Sequence, residues 1–127
     1  MSNCSCVYID MDYDGPEFHK TTMPRARKEH RCGECGRTIM PLERYENING
    51  VWEGDFSTYK TCLDCLSIRN EFFCEGYYYE MVLENLREHI FESRGEIPED
   101  CILSLTPKAQ EYVCDLIEQA WERYFKD

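Results

Sequence analysis

Two cysteine pairs, Cys32-Gly33-Glu34-Cys35 and Cys62-Leu63-Asp64-Cys65, separated by residues 36 to 61, limit this chain more than any other feature. A structural zinc site takes four tetrahedral ligands, and two Cys-x-x-Cys pairs supply four thiolates from two separate turns of backbone. Two intervening residues let each backbone segment curl until both sulfurs face one ion. Gly36, just after the first pair, suits the tight turn that follows, because glycine accepts the positive φ such turns use. Four thiolates also fill the coordination sphere, so the expected ion is structural and has no open position at which to activate water.

A disulfide framework and a redox dithiol both suit these cysteines less well. A secreted disulfide framework calls for an export signal, and Met1-Ser2-Asn3-Cys4 opens with neither a basic segment nor an apolar run. Nine cysteines are an odd number, which does not suit complete pairing. A redox dithiol normally uses one such motif in a βαβ setting, which is missing here. The expected compartment is therefore a reducing cytoplasm, where thiols stay available to metal. No stretch approaches the roughly 18 consecutive apolar residues of a membrane span, so no membrane partner is expected.

The 127 residues divide by composition into an arm (1–24), a zinc-binding module (25–75) and an acidic helical region (76–127). The formal charge of −11 is uneven: residues 71 to 127 hold fourteen acids against five basic groups, whereas residues 25 to 70 hold eight basic and seven acidic side chains. A half this acidic is a poor surface for nucleic acid. Arg25, Arg27, Lys28 and Arg31, beside the first cysteine pair, are the candidate nucleic-acid contacts. They have an alternative use, since a zinc ion with four thiolates carries a net charge near −2 that nearby cations stabilise.

Along the chain, Cys4 to Ile9 suggests a short strand. Asp10-Met11-Asp12-Tyr13-Asp14-Gly15 imitates the start of a calcium loop, but Pro16 and Thr21 spoil its later positions, so it reads as an acidic turn. Residues 16 to 24 show neither helical nor strand period. Thr38 to Thr61 reads as a β-hairpin whose turn falls at Asn49-Gly50 or at Glu53-Gly54-Asp55. Leu63, Leu66, Asn70 and Phe73, with Phe72 alongside, then have helical spacing, which puts Cys62 and Cys65 in a helix first turn, where the dipole favours thiolates. A knuckle, a hairpin and a helix carrying the last two ligands make a treble-clef-like Cys4 zinc finger, here α+β with a C-terminal helical extension.

The run from Arg27 to Cys35, then Pro41-Leu42-Glu43-Arg44-Tyr45, Gly50 to Gly54 and Thr61 to Cys65, resembles uncharacterised small zinc proteins encoded by tailed phages and prophages. The resemblance covers roughly residues 1 to 90 and departs at Leu42, where similar sequences often have glycine. It implies an accessory protein working in a host cytoplasm. No reaction is implied.

The helical region predicts one helix from about Tyr77 to Ser93, burying Tyr79, Val82, Leu83, Leu86 and Ile90 and ending at Gly95. Glu96 to Asp100 reads as a loop. Thr106-Pro107 opens a last helix, about 107 to 125, that buries Val113, Leu116, Ile117, Ala120, Trp121 and Tyr124. Cys101 and Cys114 read as buried thiols. Cys4, Cys6 and Cys74 are a candidate second metal site whose fourth ligand stays open among His19, His30 and Cys101.

No phosphate loop, dinucleotide fingerprint or nucleophile elbow occurs. Residues 36 to 72 contain no histidine, which a treble-clef nuclease needs for its second metal. The expected function is thus non-enzymatic: a zinc-stapled module whose acidic half binds a host protein complex and inhibits or redirects it, in part by presenting carboxylates where phosphates would bind. The alternative is a nucleic-acid-binding regulator that uses the basic cluster.

Overall fold

The computed structural model describes residues 6–9, 18–74 and 76–125. The aspartate-rich turn over residues 10 to 15 and Cys4 lie outside them. The order of elements is β1 (Phe18–Thr22), β2 (His30–Arg31), β3 (Thr38–Ile39), β4 (Tyr45–Trp52), β5 (Asp55–Cys62), α1 (Leu63–Phe72), α2 (Val82–Glu92), α3 (Glu99–Leu103) and α4 (Pro107–Phe125). The fold is mixed α+β. A three-stranded antiparallel sheet runs β1-β4-β5, and β2 and β3 form a separate two-stranded ladder.

The hairpin turns at Glu53-Gly54, not at Asn49-Gly50, because Trp52 pairs with Asp55 and both loop residues take positive φ. Such a two-residue loop matches the twist of the strands it joins. Asn49 and Gly50 are instead interior strand positions, facing Thr58 and Ser57. Residues 18 to 22, expected to be irregular, form an edge strand against β4. Four of those five side chains are exposed, so burial imposes no alternation that sequence could reveal.

Helix α1 begins where the cysteine spacing puts it, with Cys62 as N-cap. Its buried side chains are Cys65, Ile68, Arg69 and Phe72; of the expected stripe, Phe72 and the following Phe73 are buried, but Leu63 is exposed. The register is set by a buried ion pair. The Arg69 guanidinium donates two hydrogen bonds to the Glu46 carboxylate on β4, one of them 2.7 Å long, with both residues buried. Satisfying all four partner atoms at once is what makes so costly a burial tolerable.

The second helix is shorter than its apolar period suggested. Residues 77 to 81 are not helical, and Gly76 and Glu80 both have positive φ. Their aromatic side chains turn to the hairpin, where Tyr79 stacks on Tyr59 at 4.2 Å and meets Trp52 edge-on. Tyr77 packs under the Arg69 guanidinium at 4.3 Å. Residues 96 to 100, expected to be a loop, lead into the short helix α3.

The main core lies among the helices. Ile68 and Phe72 of α1, Val82, Leu86 and Ile90 of α2, Cys101 of α3, and Val113, Leu116, Ile117 and Ala120 of α4 close on one another. Each fully buried large apolar side chain contributes about 1.5–3 kcal/mol. Val7 enters the same core, and its N–H donates to the Phe72 carbonyl at 2.7 Å. The expected strand over residues 6 to 9 does not form. Helix α4 has the predicted bounds, but Trp121 and Tyr124 are exposed, about half and 44% respectively. A smaller cluster of Ala26, Cys32, Ile39, Tyr45, Cys62 and Cys65 surrounds the knuckle.

Candidate metal centre

The strands β2 and β3 bring the first pair into a tight loop, with Cys32 N–H donating to the Arg37 carbonyl and Gly36 N–H to the Cys32 carbonyl. Gly36 has φ of 78°, the conformation its position implied. The second pair comes from the end of β5 and the first turn of α1. One ligand atom from each of Cys32, Cys35, Cys62 and Cys65 lies within 4.8 Å of all the others. The sulfurs of Cys35 and Cys62 are 3.8 Å apart. A tetrahedron with Zn–S bonds of about 2.3 Å has sulfur–sulfur edges of about 3.8 Å, so this donor set fits one thiolate-bound ion.

Backbone donors already point at these sulfurs. Cys62 N–H and Glu34 N–H each donate to Cys32 Sγ at 3.4 Å, and Cys65 N–H donates to Cys62 Sγ at 3.5 Å. Such bonds favour thiolate over thiol. Without an ion the four thiols cannot ionise independently. Cys32 is driven far down by the hydrogen bond from Cys35, then by those from Cys62 and Cys65. Cys35 bonds to Cys32, which raises it, but the bonds from Cys62 and Cys65 bring it down to about 7. Cys62 and Cys65 are pushed up, chiefly by their bonds to Cys32 and Cys35. A divalent cation resolves this competition, since it stabilises every thiolate at once.

Arg37, which stands outside the expected basic cluster, is a cation whose charge the Cys62 sulfur feels. Its guanidinium makes two hydrogen bonds to Glu43, at 3.0 and 3.2 Å, and its Nε lies 3.2 Å from Asp64 Oδ2 without hydrogen-bond alignment. The bond to Glu43 raises its pKa, and the field of Cys62 adds to that. Of the expected cluster, Arg31 donates to the Gly36 carbonyl at 3.1 Å and Arg25 to the Leu42 carbonyl at 3.2 Å. Both brace loop backbone. Arg27 and Lys28 are exposed in the bend before β2.

The acidic residues inside the two motifs reach out to the helices. Glu34 accepts hydrogen bonds from Glu80 N–H at 2.8 Å and Val82 N–H at 3.1 Å, which satisfies donors at the start of α2. Burial pushes its carboxyl up, and those two bonds oppose the shift. Asp64 accepts the Thr106 hydroxyl proton at 2.7 Å. Thr106 Oγ1 in turn accepts from Ala109 N–H at 3.3 Å and so caps α4. No spacing rule announces these clamps, because their partners lie more than 40 residues away.

The other candidate ligands separate. Cys6 and Cys74 are joined as a disulfide, with Cα atoms 5.7 Å apart. Cys101 is fully buried but disulfide-bonded, not the free thiol expected. Cys114 is a free thiol, but it is exposed where burial was expected. His19 is exposed on β1, and His30 lies on β2 with its ring 5.2 Å from that of Tyr45.

Comparison of the chain with protein-family models, with curated proteins and with solved structures gives no match. Among the described residues no helix is long and apolar enough to cross a membrane.

Proposed function

We propose that the centre holds zinc, and that the chain is a non-enzymatic interaction module whose acidic helical half receives a basic amphipathic segment of a partner protein. Four thiolates in a tetrahedron suit zinc and leave no position for substrate. The observation that carries the interaction reading is a groove of about 230 Å³ between α4 and the α2–α3 connection. Ile97, Ile102, Ile117 and Trp121 make its floor, and Glu99 and Glu118 stand on its rim. An apolar floor between carboxylates complements an apolar stripe flanked by lysine or arginine. Large aromatic anchors such as Trp121 are the side chains that interfaces use most heavily. The sequence resemblance to small phage zinc proteins supports a host protein as that partner, inhibited or redirected on binding.

The nucleic-acid reading draws on the basic cluster, but Arg25 and Arg31 are turned to Leu42 and Gly36 carbonyls. One titration separates the two readings. A cationic amphipathic helical peptide, its charge-reversed counterpart and duplex DNA are each added to zinc-loaded protein. The cationic peptide is expected to bind, more weakly as salt rises, and to lose at least tenfold in affinity with Trp121→Ala or Glu118→Lys. Equal binding of both peptides, or none, contradicts the proposal. Salt-sensitive DNA binding abolished by Arg25→Ala/Arg27→Ala replaces it with the nucleic-acid reading.

A further inference from the structure

The three-stranded sheet has one covered face and one open face. Glu46 and Trp52 of β4 and Tyr59 of β5 share a face by alternation, and Arg69 of α1 and Tyr79 close on it. The intervening residues point the other way. There the register sets Phe18, Val51 and Phe56 in one row across the three strands. Phe18 is 62% exposed and Phe56 67%, so two large rings stand in water about 10 Å apart, two strand spacings.

The same face carries cations. Lys20 lies in the next row toward the knuckle, opposite Asn49, and Lys60 in the row after it, opposite Asn47. The Thr58 hydroxyl donates to Asn49 Oδ1 at 2.7 Å and fixes that amide between the rings and the lysines. No acid of β1, β4 or β5 shares this face, because Glu46 and Asp55 alternate to the covered one. In a chain of 25 acids this is the reverse of the prevailing charge. Residues 18 to 62 hold eight basic side chains against six acidic ones, and of those acids Glu34, Glu43 and Glu46 are engaged by Val82 N–H, Arg37 and Arg69.

We infer that this open sheet face binds single-stranded nucleic acid, with bases stacked on Phe18 and Phe56 and backbone phosphates held by Lys20 and Lys60. The charge calls for an anionic ligand, and the rings call for one with flat apolar faces exposed at intervals along it. A base lies flat on an open sheet, whereas a protein's anchoring side chain needs a pocket. A duplex keeps its bases stacked inside, out of reach of both rings. The face is separate from the helical groove and from Arg25 and Arg27, so the inference goes beyond the readings above.

Fluorescence anisotropy tests it on the full metal-loaded chain, with labelled oligothymidine and oligouridine of about twelve nucleotides, within the site sizes such surfaces use. Binding is expected at low salt, stronger than to a duplex of the same length. Phe18→Ala/Phe56→Ala should weaken it at least tenfold, and Lys20→Gln/Lys60→Gln should make the log–log salt slope shallower by about 1.4. All four side chains lie on the surface of the sheet, and unchanged metal content and melting of each variant check that the fold is intact. Absence of binding at low salt overturns the inference. So does binding that survives Phe18→Ala/Phe56→Ala, or that is lost only in Arg25→Ala/Arg27→Ala. Self-association of the chain that disappears in Phe18→Ala/Phe56→Ala, without oligonucleotide binding, overturns it in favour of a second copy on this face.

Discussion

Leu42 stands where the backbone asks for a different residue. Met40 to Glu43 is a β-turn closed by Glu43 N–H donating to the Met40 carbonyl at 3.1 Å, with Pro41 second and Leu42 third at φ of 76°. That third position of a type II turn calls for glycine or asparagine, and a side chain there costs about 1–2 kcal/mol. Leu42 recovers little of this cost, since it is 72% exposed. The turn persists because Leu42 N–H donates to the Ala26 carbonyl and Arg25 holds the Leu42 carbonyl. Leu42→Gly should stabilise the metal-loaded protein by about 1 kcal/mol after glycine's greater freedom in the unfolded chain is subtracted. A raised urea midpoint at unchanged slope is the expected result, and a lowered midpoint would refute this cause of strain in the turn.

At the level of elements, chemistry carried by spacing is what the residues make legible in advance. Cys-x-x-Cys marks the knuckle and the start of α1, and Thr106-Pro107 marks the start of α4, because in each case the partners are a few residues apart. Elements whose shape depends on distant partners carry no such mark. The strand β1 is exposed along most of its length, so no burial pattern announces it. Tyr77 and Tyr79 have helical spacing with Val82, yet they pack on Arg69 and Tyr59 and leave α2 to begin at Val82. Trp121 has the spacing of a core residue, but it is half exposed at the groove, with its ring beside Gly95 of the α2–α3 connection.

Glu34 is the element-scale device that makes this late start of α2 possible. Glu34→Gln keeps one acceptor oxygen but replaces the other with a donor facing backbone N–H groups. The expected outcome is metal retained at the knuckle with amide protection near Glu80 and Val82 falling at least tenfold in hydrogen exchange. Protection unchanged there would mean that the contact does not hold the helix.

Across the whole molecule, the metal centre sits where three connections meet. Cys62 caps α1, whose Ile68 and Phe72 enter the helical core; Glu34 holds the start of α2; and Asp64 holds the cap of α4. An ion bound there would therefore staple both halves, not the knuckle alone. Structural zinc sites contribute about 10–16 kcal/mol of apparent binding free energy, more than a domain's usual net stability of about 5–15 kcal/mol can easily lose. The most direct test is hydrogen exchange on the whole chain before and after a strong chelator removes the metal, with the disulfides left intact. The prediction is that α1 and the starts of α2 and α4 lose protection together with residues 30 to 39. Loss confined to residues 30 to 39, with those three helices as protected as before, would contradict it.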